Sequence, residues 1–496
     1  MKWFSKSQQS MREKQLENIY TMLEGSGDYI SKKHQLKKTA IYCSFIRTIV
    51  DTDMLQRDIL TPLIQQSEGT TLEELRTSLP FEEVILTDDV NTIKEKVLQG
   101  HVLIQLEKNS EQGLLLDVKA KNDRQVSPPE VEYNVLGPNE SFIESLDVNI
   151  YLLRKRLPLP NFKIKEVTVG KLTKTRTAII YIDGLANEEN VNTVMQRVTA
   201  IEYDQIIDVS FISQMIEDDH NSAFPQLVDT ERPDRVASSL SEGKIAILVD
   251  GSPFALMGPT TIVEFFSAFD DYTLNWYIAS AFRLIRLMSV AFSVLATPLY
   301  VATLTFHYQL IPKNLLATLI SSRMGIPFPP LAEAFLMEFT IEVLREAGVR
   351  LPTKVGQTIG IVGGIVIGTA SVQANLTSNV LLILVAMAAL ASFTTPNYRM
   401  NNTVRLIRFP FLLFAGLWGM YGIACCFAIV VAHLLRLESL GRPYIEPFFP
   451  LRIKDLKDAF FRLPFSKQKL RPMLLRPQDP GRVNTQRASK KHDIDD

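Results

Sequence analysis

The chain changes character near Phe282. Before it, apolar runs are short and separated by polar stretches. After it come uncharged runs at residues 287–306, 355–374, 380–396 and 409–435. A helix needs about 20 apolar residues to cross a bilayer, so this pattern predicts about four spans. Residues 355–374 and 380–396 are separated so briefly that they predict a tight helical hairpin. Four crossings put both ends on one side.

The run 355–374 carries glycines at every fourth position: Gly356, Gly360, Gly364 and Gly368. In water each would cost about 1 kcal/mol relative to alanine. In lipid, small residues at this spacing let helix backbones approach closely. The four glycines are therefore expected to form a packing face.

Residues 331–350 are harder to read. Glu338, Glu342 and Glu346 repeat at helical spacing, opposite Phe335, Leu336, Phe339 and Val343. Such a stripe is too charged for lipid. The segment either lies along the interface or is re-entrant, with its carboxylates facing water. Membrane-depth carboxylates often mark ion paths, so an acidic mouth formed by these three residues competes with plain interfacial support. The positive-inside rule leaves the count unresolved. Four spans put Arg399, Arg405 and Arg408 outside, whereas a fifth crossing at 331–350 would send the basic tail outside.

The first half predicts α/β structure. Residues 1–35 read as a polar helix with a short connection. The runs 39–46 and 177–184 read as matched strands, each followed by a helix, at an offset of 138. Helix–glycine–strand patterns recur through Gly100 and Gly243 at an offset of 143, each followed by a turn and a further strand (113–118 and 254–257), and each glycine is expected as a left-handed C-cap. The pattern predicts two similar α/β subdomains, 1–125 and 158–280. Between them, 126–157 reads as a proline linker (Pro128, Pro129, Pro138) followed by an amphipathic helix. Ser141-Phe-Ile-Glu has the form of a capping box for that helix. Its basic end, Arg154-Lys155-Arg156, suits a solvated surface or a docking face. The helical membrane domain is expected at 281–436 and a basic cytosolic tail at 437–496.

Charge sharpens this division. Residues 1–283 carry 30 Lys and Arg against 42 Asp and Glu. An acidic soluble half argues against nucleic acid as a partner. The tail from 436 carries 14 basic against 8 acidic residues, which suits a cytoplasmic face of anionic lipid. The start lacks the apolar core of a signal peptide, so the N-terminal region is expected to be cytosolic. Cys43, Cys425 and Cys426 offer no zinc spacing, and no phosphate loop or nucleophile–base pattern appears. These readings predict neither enzyme nor cofactor. Polar residues at 369–379, including Gln373 and Asn375, suit either an ordinary helix end or a hydrated passage.

Several blocks carry a resemblance. They are Phe224-Pro-Gln-Leu-Val-Asp-Thr-Glu-Arg-Pro-Asp-Arg-Val, Ile247-Leu-Val-Asp-Gly-Ser-Pro-Phe, Pro327-Phe-Pro-Pro-Leu-Ala-Glu-Ala-Phe-Leu-Met-Glu and Gly356-Gln-Thr-Ile-Gly-Ile-Val-Gly-Gly-Ile-Val-Ile-Gly. With Gly137-Pro-Asn-Glu-Ser-Phe, they resemble the A subunit of GerA-type spore germinant receptors, over about residues 40–450. The resemblance implies a multi-pass protein of the spore inner membrane. It also implies B (transporter-like) and C (lipoprotein) partner subunits and a homo-oligomer of A subunits that forms a nutrient-gated ion channel. Should 355–374 line such a channel, Ile361, Val362 and Ile365 would form its narrow part. The alternatives are a homologue that assists other receptors and a secondary transporter component. The few spans, with no repeat among them, weigh against a complete transporter.

Overall fold

The computed structural model describes residues 20–482, apart from 67–69, 80, 82–83, 109, 111, 121–127, 133–136, 453–454 and 456–458; for 66, 353–362 and 466 it describes the backbone alone. Two compact units result. One comprises residues up to 220, with 227–259 and 468 onward; the other comprises 221–226 and 260–467.

The first unit contains two five-stranded antiparallel sheets of identical strand order. In the first sheet the order is β1 (Tyr29–Gln35), β2 (Ala40–Ile46), β4 (His101–Gln105), β5 (Gly113–Asp117), β3 (Val84–Thr87). In the second it is β6 (Phe162–Val169), β7 (Thr175–Ile182), β9 (Ile245–Val249), β10 (Ala255–Gly258), β8 (Val228–Thr230). The helices correspond as well. After β2 come α1 (residues 52–66) and α2 (Leu72–Ser78), and α3 (Val90–Leu98) precedes β4. Helix α4 (Leu146–Arg156) links the two halves. After β7 come α5 (Glu188–Thr199) and α6 (Val209–Ile216), and α7 (Pro233–Glu242) precedes β9. Gly100 (φ +93°) and Gly243 (φ +101°) close α3 and α7 in the left-handed conformation that glycine adopts without strain.

The polar-helix reading of 1–35 fails at Tyr29–Gln35, and 1–19 lie outside the described residues. That segment is β1, paired along its whole length with β2. It is an edge strand carrying exposed lysines, which deter a further strand from pairing. Lys32 and Lys33 also erase the apolar alternation that would mark a strand.

Within 126–157 the helix forms at Leu146–Arg156, but its start and its basic end differ from the expected ones. Ser141 is not the helix N-cap: the Phe142 amide donates to the Glu231 carbonyl at 2.7 Å, and α4 starts after Ser145. The basic end is only partly solvated: Lys155 is exposed, but Arg154 is buried. Arg154 is 1% exposed and binds the buried Asp28 with Nη2–Oδ1 at 2.7 Å. Ser26 and Thr48 donate to the same carboxylate at 2.6 and 2.8 Å. Burial alone would raise Asp28, but Arg154 and these hydroxyls outweigh it and hold the carboxyl below its usual range. Because α4 belongs to the second subdomain's flank and Asp28 to the first, this pair joins the subdomains.

The second unit is helical: α8 (Trp276–Thr305), α9 (Lys313–Arg323), α10 (Pro330–Arg350), α11 (Thr353–Gln373), α12 (Asn379–Ser392) and α13 (Tyr398–Arg436). The expected boundary at 280 moves to 259, because Asp271 receives Arg283 and Arg286 of α8 at 3.0 and 3.1 Å. The tail also divides, at 467. Among the described residues, α8 and α13 are long and apolar enough to cross a membrane.

The expected single run 409–435 is not one helix. Gly419 breaks α13 with φ 62° and ψ −136°. Thr403 donates to the Ala223 carbonyl, while His433 Nε2 lies 2.9 Å from Ser222 Oγ. A straight helix would set residues 403 and 433 about 45 Å apart, at about 1.5 Å per residue, yet they reach neighbouring residues. The chain therefore reverses at Gly419, and 398–418 and 420–436 form an antiparallel hairpin. Their approach is close: a Cβ on Gly422 would run into the Phe414 carbonyl.

Candidate functional site

Residues 331–350 fall in one continuous helix, α10. From Leu331 to Glu342, helix α10 runs antiparallel to the first half of α13. Leu331 packs on Gly416, and Phe335 meets Phe409 edge-on at 5.7 Å. At the other end, Arg345 lies over the Phe393 ring at 4.9 Å.

Between these ends the carboxylates are matched one by one. Glu338, 1% exposed, pairs with Arg408 of α13, itself 2% exposed. Helix α8 completes the arrangement: Thr297 Oγ1 donates to Glu338 Oε1 at 2.8 Å, and Arg408 Nη2 donates to Ser293 Oγ at 2.8 Å. One turn on, Arg405 Nε donates to Glu342 Oε1 at 2.9 Å. Glu333, wholly buried, pairs with Arg323 of α9 at 2.8 Å. It also accepts the Ser378 amide at 2.7 Å at the start of α12. Tyr300 lies 3.1 Å from Ser378 Oγ. Glu346 differs: it is exposed and pairs with Arg350 one turn along its own helix.

Of the three residues expected at an acidic mouth, two are ion-paired across helices. Glu338 and Glu342 present no free negative charge, since a guanidinium neutralises each. Removing one partner of a buried pair would leave an uncompensated charge, and mutual pairing is what lets both Glu338 and Arg408 remain buried. Three arginines without acidic neighbours, beside a helix with unmatched glutamates, were the available signal for this pairing. Glu333, Arg323, Ser293 and Thr297 went unrecognised. Glu333 sits five residues before Glu338 and so falls off the stripe.

The other expected site residues lie on α11 and its turn. Gly356, Gly360, Ile361 and Val362 are in the helix, but their surroundings lie outside the described residues. Within the chain the helix packs through Gly363, where a Cβ would sit 3.4 Å from Leu344, and through Gly368, 3.7 Å from Leu382. A Cβ on Gly364 would meet nothing within 4 Å, and Ile365 is 62% exposed. Gln373 and Asn375 are exposed. Asn375 adopts φ +53° to turn from α11 into α12, a conformation that asparagine tolerates better than most residues. Among the described residues no three potential metal-ligating side chains cluster.

The model of the Bacillus/Clostridium GerA spore germination protein family matches residues 17–474. The chain belongs to the GerA family. It is 47% identical to spore germination protein GerQA of Bacillus cereus, over 97% of this chain and 98% of that one. It is 45% identical to GerIA of the same organism, over 97% and 72%. Spore germination protein B1 of Bacillus subtilis (strain 168) is 39% identical over 88% and 90%. The solved N-terminal domain of the A subunit of the Bacillus megaterium spore germinant receptor GerK3 matches 49% of this chain and 92% of that one, with 25% identity and a TM-score of 0.38. This GerA-family chain is thus a homologue of germinant-receptor A subunits.

Proposed function

We propose that this protein is the A subunit of a nutrient germinant receptor in the spore inner membrane and helps form an oligomeric, nutrient-gated ion channel. Its partners are a transporter-like B subunit, a lipoprotein C subunit and further copies of itself. Family membership over residues 17–474 carries the reading. The open face of α11 supports the oligomer. A helix uncharged from residue 355 to its end, which leaves Gly364 uncovered and Ile365 exposed, has a face available for other copies or for a passage. In this reading Ile361, Val362 and Ile365 line the narrow part, with Gln373 and Asn375 at one end. Glu338 and Glu342 hold the bundle together, and Glu346 alone remains for a mouth.

The helix directions support six crossings. Helices α8, α10, α11 and α12 alternate, and the two halves of α13 add two more. Both ends of α13 then share a side with the start of α8, and the first unit is cytosolic.

Spores lacking the gene, tested on amino acids, sugars and nucleosides, should lose germination and early cation release on one nutrient class. Ile365→Ala should cause nutrient-independent cation leakage at normal protein level, because a smaller side chain favours the wetted state of a hydrophobic constriction. Unchanged responses to every nutrient in the deleted spores would refute the receptor reading.

A further inference from the structure

The two subdomains of the first unit are built alike, so each serves as a control for the other. In the first, the chain leaving β5 folds back beside the start of α1. The Ala120 amide donates to the Ile49 carbonyl at 3.0 Å, the Asp51 amide donates to the Val118 carbonyl at 2.8 Å, and Val50 bridges Lys119. A Cβ on Gly100 would meet both the Ile49 carbonyl and Lys119.

The second subdomain has the same slot but not the same filling. After β10 the chain departs at Pro259 for the helical unit. The slot is filled by residues that come after the last helix. The Gln478 amide donates to the Leu185 carbonyl at 3.0 Å. Asn187 Nδ2 donates to the Arg476 carbonyl at 3.2 Å. A Cβ on Gly243 would meet the Leu185 carbonyl and Pro477. Three positions correspond in register: Val118, Lys119 and Ala120 with Arg476, Pro477 and Gln478. Their hosts correspond too: Ile49 with Leu185, the helix N-caps Asp51 and Asn187, and the left-handed Gly100 and Gly243.

Further contacts fix the segment. Arg471 Nε donates to the Ser241 carbonyl at 3.0 Å, at the end of α7. Arg482 pairs with Glu242 of the same helix. Gln478 Nε2 reaches Glu188 at 3.2 Å, and Leu475 is fully buried. Leu470 bridges Gly481, so the segment is itself a small loop.

We propose that residues 470–482 are a built-in strap, which completes the second subdomain in place of its missing exit strand and couples that subdomain to the end of α13. The chain thereby joins the subdomain to the helical unit at both ends of that unit, through Pro259 and through the strap. A shift of the second subdomain would act on the beginning of α8 and the end of α13 together. The coupling part of the proposal rests on the receptor reading; the docking part does not.

The test uses the full-length protein. Hydrogen exchange in detergent reads the Gln478 amide. It should be protected, and Arg471→Ala with Arg482→Ala should speed its exchange about tenfold or more, as expected for loss of local ties. An unprotected Gln478 amide in the unaltered protein overturns the docking, whatever the function proves to be. In spores, Glu188→Cys with Gln478→Cys, in a chain with Cys425 and Cys426 replaced by alanine, fixes the strap by a short thiol cross-linker. The cross-linked receptor should still respond to nutrient, and the Arg471→Ala/Arg482→Ala receptor should lose its response at normal protein level. A released strap with a normal response, or a fixed strap that blocks it, overturns the coupling.

Discussion

Arg154 and Arg408 are buried guanidiniums in two different surroundings, and each is tolerated for the same reason. Asp28, Ser26 and the Leu159 carbonyl satisfy Arg154; Glu338 and Ser293 accept from the two Nη atoms of Arg408. Removing one member of a buried pair strands the other charge, at a cost of about 3–5 kcal/mol. Asp28→Asn should therefore loosen the junction of the two subdomains by about that amount. The exposed pair of Asp58 with Arg57 should contribute far less, because water screens it. Acid should act in the same direction. The Asp28 carboxyl lies below its usual range when folded, so its contribution is complete above that range and is lost as pH falls through the lowered value. Hydrogen exchange of the Gly27 amide, which donates to the Ile164 carbonyl across this junction at 2.9 Å, reports it. Equal protection in Asp28→Asn and Asp58→Asn would contradict this account.

At the level of elements, what the sequence made legible follows burial. The strands read from apolar runs were β2, β4, β5, β7, β9 and β10, the inner strands of both sheets. The four that escaped, β1, β3, β6 and β8, are the four edges. An edge strand mixes polar side chains and lysines into its pattern, so its period is blurred for a physical reason. The reversal in α13 escaped for another reason. Its flanks are apolar on both sides, and a glycine in a lipid helix reads as packing. Only Gly419 has the required conformation: φ 62° with ψ −136° is open almost exclusively to glycine. A Cβ there would also lie 2.8 Å from His307 Cε1. Gly419→Ala should therefore lower the thermal midpoint of the detergent-solubilised protein, with about 1–3 kcal/mol of backbone strain added to the clash. Gly364→Ala, with open space around it, should leave that midpoint within error. A drop for Gly364 and none for Gly419 would reverse the argument.

For the whole molecule, under the proposed six crossings, the reversal at Gly419 removes the conflict over charge. A single crossing by 409–435 forces Arg399, Arg405 and Arg408 to the side opposite the basic tail, whichever way 331–350 is counted. A hairpin returns the chain, so the arginines near the start of α13 and the basic residues after its end share a side. Arg405 and Arg408 also cease to count as free positive charges, because Glu342 and Glu338 neutralise them. Each observation weakens the positive-inside objection independently, and together they leave no excess charge on the far side of α13. The consequence can be measured by labelling with a membrane-impermeant maleimide, in a chain whose Cys425 and Cys426 are alanine. Cysteines at Tyr398 and Arg442 should react from the same face of the membrane. Cysteines at Leu310 and Asn375 should react from the opposite face, because α8 and α11 end there. Tyr398 and Arg442 labelling from opposite faces would mean that α13 crosses once and that the hairpin is not how the chain sits in lipid.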